Sequence, residues 1–233
     1  MQAILLCGGL GTRLRSVVSD RPKPLADING KPFMEYVIRE LMKHGIDDII
    51  FAAGYMGKMI EDFFGDGSAY GFRASYAYET SQLGTGGALR NAFPYVTESM
   101  VYALNADTFY RIDYSALLRL KEEKHCPMAL VTREVSDISR YGEVRTANGL
   151  VASWNEKNPE NRPGEINGGI YLLDRELIAR IPEGKHSLEN ELLPQWLSEG
   201  MEIGVMRNEG YFIDIGIPES YRQFQADVAE GRI

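Results

Sequence analysis

Thiols are nearly missing from this chain of 233 residues: Cys7 and Cys126 are the only two. That count excludes a disulfide-stapled scaffold and a thiolate metal cluster, and because both lie at apolar runs they read as buried thiols of a reducing compartment. Histidine is almost as rare. His44, His125 and His186 fall at helix ends or in polar loops, without the spacing of a zinc site or a catalytic triad. No apolar stretch approaches the roughly 20 residues of a membrane span, and the opening MQAILLCGG lacks the cationic start and the length of a secretory signal. A cytoplasmic protein with no membrane partner is expected. Cations are in deficit as well, 25 Lys and Arg against 33 Asp and Glu, so the broad basic surface that nucleic acid polymers require is absent. With no repeat, low-complexity tract or Pro/Gly/Ser-rich linker, the 233 residues are expected to form one domain, long enough to bury a continuous sheet.

What the chain does have is alternation. QAILLC is an apolar run ended by glycine, as a strand buried on both faces would be. Pro32 can open a helix through FMEYVIRELMKHG, where Phe33, Val37 and Leu41 with Met34 and Ile38 make an apolar stripe and Gly45 can close the end. IDDIIFAAG, FRASYAYE and SMVYALNAD read as further strands, separated by helical stretches in MGKMIEDFFG and GTGGALRNAF, and DYSALLRLKEEK follows as another helix. Such order argues for a layered α/β sandwich. After residue 125 strands dominate: PMALVTREV, a hairpin across TANGL, INGGIYLLD, MEIGVM and YFIDIG, with helices around SLENELLPQWLSEG and from Pro218 onward. The 13 tyrosines and 9 phenylalanines leave self-association open without separating interface from core.

Positive charge is concentrated at one place. Residues 1–31 hold Arg13, Arg15, Arg21, Lys23 and Lys31 against Asp20 and Asp27, in a chain whose net charge is -8. These cations stand beside the glycines of GGLGTRL, as a small anionic ligand would require. Two familiar readings fail. A dinucleotide fingerprint beginning at Gly9 needs glycine where Leu14 stands, and no acidic residue closes the second strand; a P-loop needs G-x-x-x-x-G-K-[ST], which occurs nowhere. Phosphate binding survives both rejections. Glycines let backbone N–H groups converge on phosphate oxygens, Thr12 adds a hydroxyl, and Arg13 a planar fork of donors. Lys23 sits between Pro22 and Pro24, whose fixed backbone lowers the entropy lost in aiming its ammonium.

GGLGTRL followed at a distance by PKP resembles the signature of the sugar-1-phosphate nucleotidyltransferases. The likeness continues through PLADINGKPF, QLGTGGAL, NADTF, RYGEV, EINGGIYLL and FIDIGIPESY, over essentially the whole chain. Within that family it is most similar to the guanylyltransferases that take a heptose 1-phosphate. The resemblance implies a Rossmann-like sandwich with a central, mostly parallel mixed sheet and a small added β-rich sugar-binding lobe. Residues 1–125 would be mainly nucleotide-binding, 126–217 mainly sugar-phosphate-binding, and 218–233 a closing helix and tail. It implies GTP and a sugar 1-phosphate as substrates, a nucleotide-sugar and pyrophosphate as products, and Mg2+ as cofactor.

The same resemblance distributes roles. Gly8, Gly9, Gly11, Thr12, Arg13 and Lys23 would surround the triphosphate, with Arg13 and Lys23 also stabilising charge in the reaction, and Leu6 with Gly8 would stand beside the base contacts. Glu79, Gln82 and Gly87 would face the base, where Glu79 or Gln82 can accept from the N1 and N2 donors of guanine. Asp107 and Asp214 match the family's metal-binding carboxylates. Asp107 ends an apolar strand, where open α/β sheets place their crevices, and Asp214 stands in YFIDIG. For the acceptor, Tyr141, Gly142, Glu156, Lys157, Asn167 and Gly168 form the corresponding set, with Lys157 meeting the sugar phosphate.

Three other readings stand beside this one. A relative using mannose or glucose 1-phosphate with GTP, UTP, dTTP or CTP shares every motif above. A GT-A-like glycosyltransferase commonly holds its metal through D-x-D, whereas this chain has Asn105 in the first place. A non-catalytic sensor of nucleotide sugars has no need of Arg13, Lys23, Asp107 and Asp214 together.

Overall fold

The apolar run after Met1 becomes the strand on which the rest is arranged: β1 (Gln2–Leu6) carries Ala3, Ile4 and Leu5 at 0% exposure. The computed structural model describes residues 1–9, 12–14, 16–139, 142–155 and 161–233, with Thr12 described through its backbone only. After the glycine-rich turn, β2 (Asp27–Ile28) and β3 (Lys31–Pro32) form a small hairpin across Asn29 and Gly30, both at positive φ, the conformation a two-residue turn favours. There follow α1 (Phe33–Lys43), β4 (Asp48–Ala53), α2 (Gly57–Phe64), β5 (Arg73–Tyr78), α3 (Gly84–Ala92) and β6 (Met100–Asn105). Next come β7 (Thr108–Tyr110), α4 (Tyr114–Lys124), β8 (Met128–Val135), β9 (Glu143–Ala147), β10 (Leu150–Asn155) and β11 (Gly164–Asp174). The chain closes with α5 (Arg175–Ala179), a π-helical turn over Leu188–Leu192, α6 (Leu193–Ser198), β12 (Ile203–Arg207), β13 (Phe212–Asp214) and α7 (Pro218–Ala229).

The expected stripe of α1 is buried throughout, from Phe33 and Met34 to Leu41. Its end is closed as anticipated: Gly45 adopts φ +73° and the Ile46 N–H returns to the Leu41 carbonyl at 3.1 Å. Across TANGL the turn falls on Asn148 and Gly149, again both at positive φ, between β9 and β10.

Among the described residues the main sheet has nine strands in the order β5-β4-β1-β6-β11-β8-β12-β10-β9. β5, β4, β1 and β6 are mutually parallel, as is the β8–β12 pair; β11 runs antiparallel to both β6 and β8. Successive residues of β1 feed opposite cores. Ala3 and Leu5 pack with Val37, Leu41, Ile60, Leu117 and Phe224 of α1, α2, α4 and α7, while Ile4 packs with Leu89, Leu177, Leu193 and Trp196 of α3, α5 and α6. This is a three-layer sandwich. Of the strands after residue 125, β8 to β12 extend the same sheet, while β13 pairs with β7 in a separate two-stranded ribbon.

Chain order explains where a site can form. From β1 the chain moves outward to β4 and β5, then returns across β1 to β6. Connections therefore diverge at the β1/β6 boundary and leave a crevice beyond the carboxyl ends of those two strands.

Candidate active site

That crevice is a cleft of about 560 Å³, with Leu6, Cys7, Gly8 and Gly9 entering from the end of β1 and Asn105, Ala106 and Asp107 from the end of β6. Burial, with Asp107 and Glu79 nearby, pushes the Cys7 thiol far above its ordinary range, so it stays protonated. Two cations reach the same space. Arg13 projects from a 3-10 turn at Thr12–Leu14 that the fully buried Leu14 anchors. Lys23 begins a second 3-10 turn, Lys23–Leu25, held by Pro22 at φ -68° and by buried Pro24 and Leu25. Its Nζ donates to Asp107 Oδ2 at 2.7 Å.

Asp214 comes to Asp107 through a two-stranded ribbon. β7 and β13 pair antiparallel with Asp214 opposite Thr108, and the Ile215 N–H donates to the Asp107 carbonyl at 2.9 Å. The Asp214 carboxylate accepts from the Gly216 N–H at 2.6 Å. A Cβ at Gly216 would stand 2.7 Å from Asp214 Oδ1 and 3.3 Å from Arg13 Nη2, which places guanidinium and carboxylate around one glycine. Burial, then the charge of Asp107, hold the Asp214 carboxyl above the usual aspartate range, offset by the Gly216 N–H and by Lys23 and Arg13. Two adjacent carboxylates, one of them buried, form a hard-oxygen pair whose charge a divalent cation would balance. Among the described residues no cluster of three or more His, Cys, Asp or Glu accompanies them, so the rest of such an ion's shell falls to phosphate and water. Of this group Asp107 lines the cleft, and Asp214 is not among the residues of its wall.

Of the residues expected at the base, Glu79 and Gln82 both line the cleft. The Glu79 carboxylate accepts from the Leu83 N–H at 3.2 Å, and burial raises its carboxyl above the ordinary glutamate range. A Cβ on Gly8 would lie 2.5 Å from Glu79 Oε1, so any side chain there would displace the Glu79 carboxylate from its present place. Gly87 is placed differently from the expectation that it faces the base. A Cβ there would meet the Gly184 carbonyl at 2.2 Å, and the Gly86 and Gly87 N–H groups both donate to the His186 carbonyl, at 2.9 and 3.2 Å. These glycines let residues 184–187 close over the start of α3, with Gly84 and Thr85 alone of its first turn left on the cleft wall.

Of the residues expected at the acceptor, Gly142 and Asn167 line the cleft. Asn167 is aimed there by a break in the β11–β8 register between Asn167 and Tyr171, a bulge that re-orients a side chain beside a site. Gly168 faces away, its missing Cβ sitting 2.6 Å from the Tyr110 ring. Gly11, Tyr141, Glu156 and Lys157 lie outside the described residues, as does the Thr12 side chain. The histidines hold structural posts: His44 beside Glu40 and Tyr114, His125 capping α4 at φ +50°, His186 giving its carbonyl to α3.

Sequence reasoning passed over Thr85, Trp154, Lys185 and Glu189, all on the cleft wall. Lys185 and Glu189 lie about a hundred residues after the base segment, and only the fold returns them to it. Trp154 carries a buried indole N–H with no partner among the described residues.

The matches to other proteins agree with this geometry. The nucleotidyl transferase family model matches residues 2–231. The chain is 41% identical over 226 residues to the D-glycero-alpha-D-manno-heptose 1-phosphate guanylyltransferase of Campylobacter jejuni, covering 96% of this chain and 98% of that protein. It is 38% identical to the enzyme of the same name from Aneurinibacillus thermoaerophilus, covering 98% of each. The crystal structure of HddC from Yersinia pseudotuberculosis superposes with a TM-score of 0.87 at 33% identity, over 97% of this chain and 99% of the other. With a cleft at the β1/β6 switch point, a cationic glycine turn, a paired-carboxylate ribbon and a family match running nearly end to end, the chain belongs to the nucleotidyl transferase family.

Proposed function

We propose that this protein joins GTP to D-glycero-α-D-manno-heptose 1-phosphate, giving GDP-heptose and pyrophosphate. The reading is carried by the end-to-end likeness to two heptose 1-phosphate guanylyltransferases, and the arrangement of the cleft supports it. An oxygen of the sugar phosphate attacks the α-phosphorus of GTP; the new P–O bond forms as the bond to the β-phosphate oxygen breaks, and pyrophosphate leaves. The sugar phosphate is already ionised near neutral pH, so the chain supplies no general base.

Its residues bind, orient and neutralise. Backbone N–H groups of the glycine turn cradle the triphosphate, and Arg13 with Lys23 counter the negative charge that grows on the departing pyrophosphate. Glu79 and Gln82 accept from the guanine edge, a pairing that uracil, thymine and cytosine cannot repay in the same geometry. Asn167, Gly142 and, outside the described residues, Tyr141, Glu156 and Lys157 hold the acceptor. Nucleotidyl transferases generally use a divalent metal such as Mg2+. Asp107 and Asp214 would hold it, and it would supply charge neutralisation between the two phosphates being joined.

The test is pyrophosphate release over a grid of five nucleoside triphosphates and the 1-phosphates of heptose, mannose and glucose. The expected result is the highest kcat/KM for GTP with the heptose, at least about tenfold above any other pair, equivalent to about 1.4 kcal/mol of transition-state binding. Faster turnover of mannose 1-phosphate, or of a pyrimidine nucleotide, would overturn the substrate assignment.

A further inference from the structure

The nucleotide helix and the acceptor strand are joined by a hydrogen-bonded chain that passes through one carboxylate. Thr85, in the first turn of α3, donates to Glu189 Oε2 at 2.5 Å. The hydroxyl of Tyr171, a fully buried residue of β11, donates to Glu189 Oε1 at 3.0 Å. That hydroxyl accepts from Asn167 Nδ2 at 2.5 Å, and Asn167 Oδ1 accepts from the Gly169 N–H at 3.0 Å. Thr85 Oγ1 in turn accepts from the Leu188 N–H at 2.8 Å.

Glu189 is presented by the π-helical turn Leu188–Leu192, opened by Ser187, whose side chain accepts from the Asn190 N–H. Such turns are rare in folded chains and frequent at functional sites. This one follows directly on the His186 carbonyl that closes over α3.

The chain of donors decides which way the Asn167 amide points. An isolated asparagine can present either end to a ligand. Here Oδ1 is committed to Gly169 and one Nδ2 hydrogen to Tyr171, so what remains for the cleft is one N–H and one lone pair in fixed places. Tyr171 can accept from Asn167 in this sense because Glu189 takes its hydroxyl hydrogen. An ionised carboxylate only accepts, so it fixes the direction of every donor behind it.

We infer that Glu189 is a positioning residue for the acceptor sugar: through Tyr171 it sets the orientation of Asn167, and through Thr85 it ties that orientation to the nucleotide helix. The inference rests on the proposed reading of the cleft as a nucleotidyltransferase site with Asn167 on the acceptor. Thr85 lies in the QLGTGGAL stretch, where the resemblance gives it no role, and Glu189 lies outside every motif quoted above.

The experiment uses the full chain and whichever acceptor the wild-type protein turns over in the substrate grid, so an inactive wild type would reject the functional reading and not this one. For Glu189→Ala the KM for the sugar 1-phosphate is expected to rise about ten- to hundred-fold, the factor for a lost charge-assisted hydrogen bond. The KM for the triphosphate should stay within about twofold. Glu189→Gln, which can still accept from Tyr171 while donating to Thr85, should recover most of the loss. Tyr171→Phe should reproduce the acceptor defect, and combining it with Glu189→Ala should add little, since both cut one chain. A folded Glu189→Ala with unchanged acceptor KM, equal losses for both substrates, or fully additive effects would overturn the inference. If Glu189→Ala does not fold, Tyr171→Phe decides: an acceptor KM equal to wild type rejects the role.

Discussion

Removing the charge of Lys23 tests the centre of the site in a way that separates electrostatics from packing. Lys23→Met keeps the apolar stem and deletes the ammonium that meets Asp107 at 2.7 Å. At that distance the bare attraction is about 6 kcal/mol for an effective dielectric constant of about 20. Most of it is offset by desolvation and by water: the Lys23 side chain is 14% exposed, Asp107 32%. A pair of this intermediate burial lies between the fractions of a kcal/mol of surface pairs and the 3–5 kcal/mol lost on breaking a buried one, about 2 kcal/mol. In a chain of this length that lowers Tm by about 4–8 °C.

The effect should depend on pH. Asp214 has its carboxyl raised in the folded state by burial and by Asp107, while Lys23 opposes the shift. A raised carboxyl costs stability that begins as the pH climbs past the unfolded-chain value, is complete above the folded pKa, and vanishes in acid below both. Without Lys23 that cost grows at alkaline pH and disappears in acid, so the Tm deficit should be larger near pH 8 than near pH 5. Added Mg2+ should raise the Tm of the variant more than that of the wild type, by restoring positive charge beside the two carboxylates. Turnover should fall by about 10²- to 10³-fold, as when one preorganised charge is removed from a transition state. Melting measured by calorimetry at both pH values, with pyrophosphate release beside it, provides the check. A variant that melts with the wild type at both and turns over undiminished would refute the reasoning.

Gly8→Ala would bring a methyl group within 2.5 Å of Glu79 Oε1; the carboxylate can swing away, so stability should change by under about 1 kcal/mol while the KM for GTP rises several-fold and that for the acceptor does not. Gly54→Ala offers the contrast, because its Cβ would meet the Gly8 backbone at 2.8 Å; the expected cost is about 1–3 kcal/mol of overpacking, read by denaturant unfolding. For the unmodified protein, the raised carboxyl of Asp214 predicts that Mg2+ affinity begins to weaken on acidification at a higher pH than for an ordinary aspartate. Titrating turnover with Mg2+ across pH tests this, and an apparent affinity flat down to the normal aspartate range would count against Asp214 as a ligand.

Much of the frame is legible because local pattern and tertiary role agree. QAILLC, DDIIFAA and MVYALN are apolar on both sides, and each forms a strand sandwiched between helices. The stripe of α1 and the Asn-Gly turn of TANGL are fixed by periodicity and by backbone sterics. Strand order is not local. That β12 inserts between β8 and β10, and that β11 lies against β6, depends on long-range packing that no window of residues contains. The site divides in the same way. Arg13, Lys23 and the two aspartates were visible through motif and resemblance, and the fold brings them together. The resemblance puts Gly87 at the base, but its own close neighbours are the carbonyls of Gly184 and His186, a contact between distant segments that no local pattern announces. Glu189 gave no signal, since an acidic residue in LENELL has the spacing of an ordinary solvated helix face.

One strand has a consequence for how the two substrates are aligned. β11 is laddered to β6 on one side and to β8 on the other, so the floor under the nucleotide and the wall beside the acceptor are parts of one slab. A slab of this kind has no hinge between its halves. The two sides of the cleft are therefore set against each other by one continuous hydrogen-bonded sheet when the chain folds.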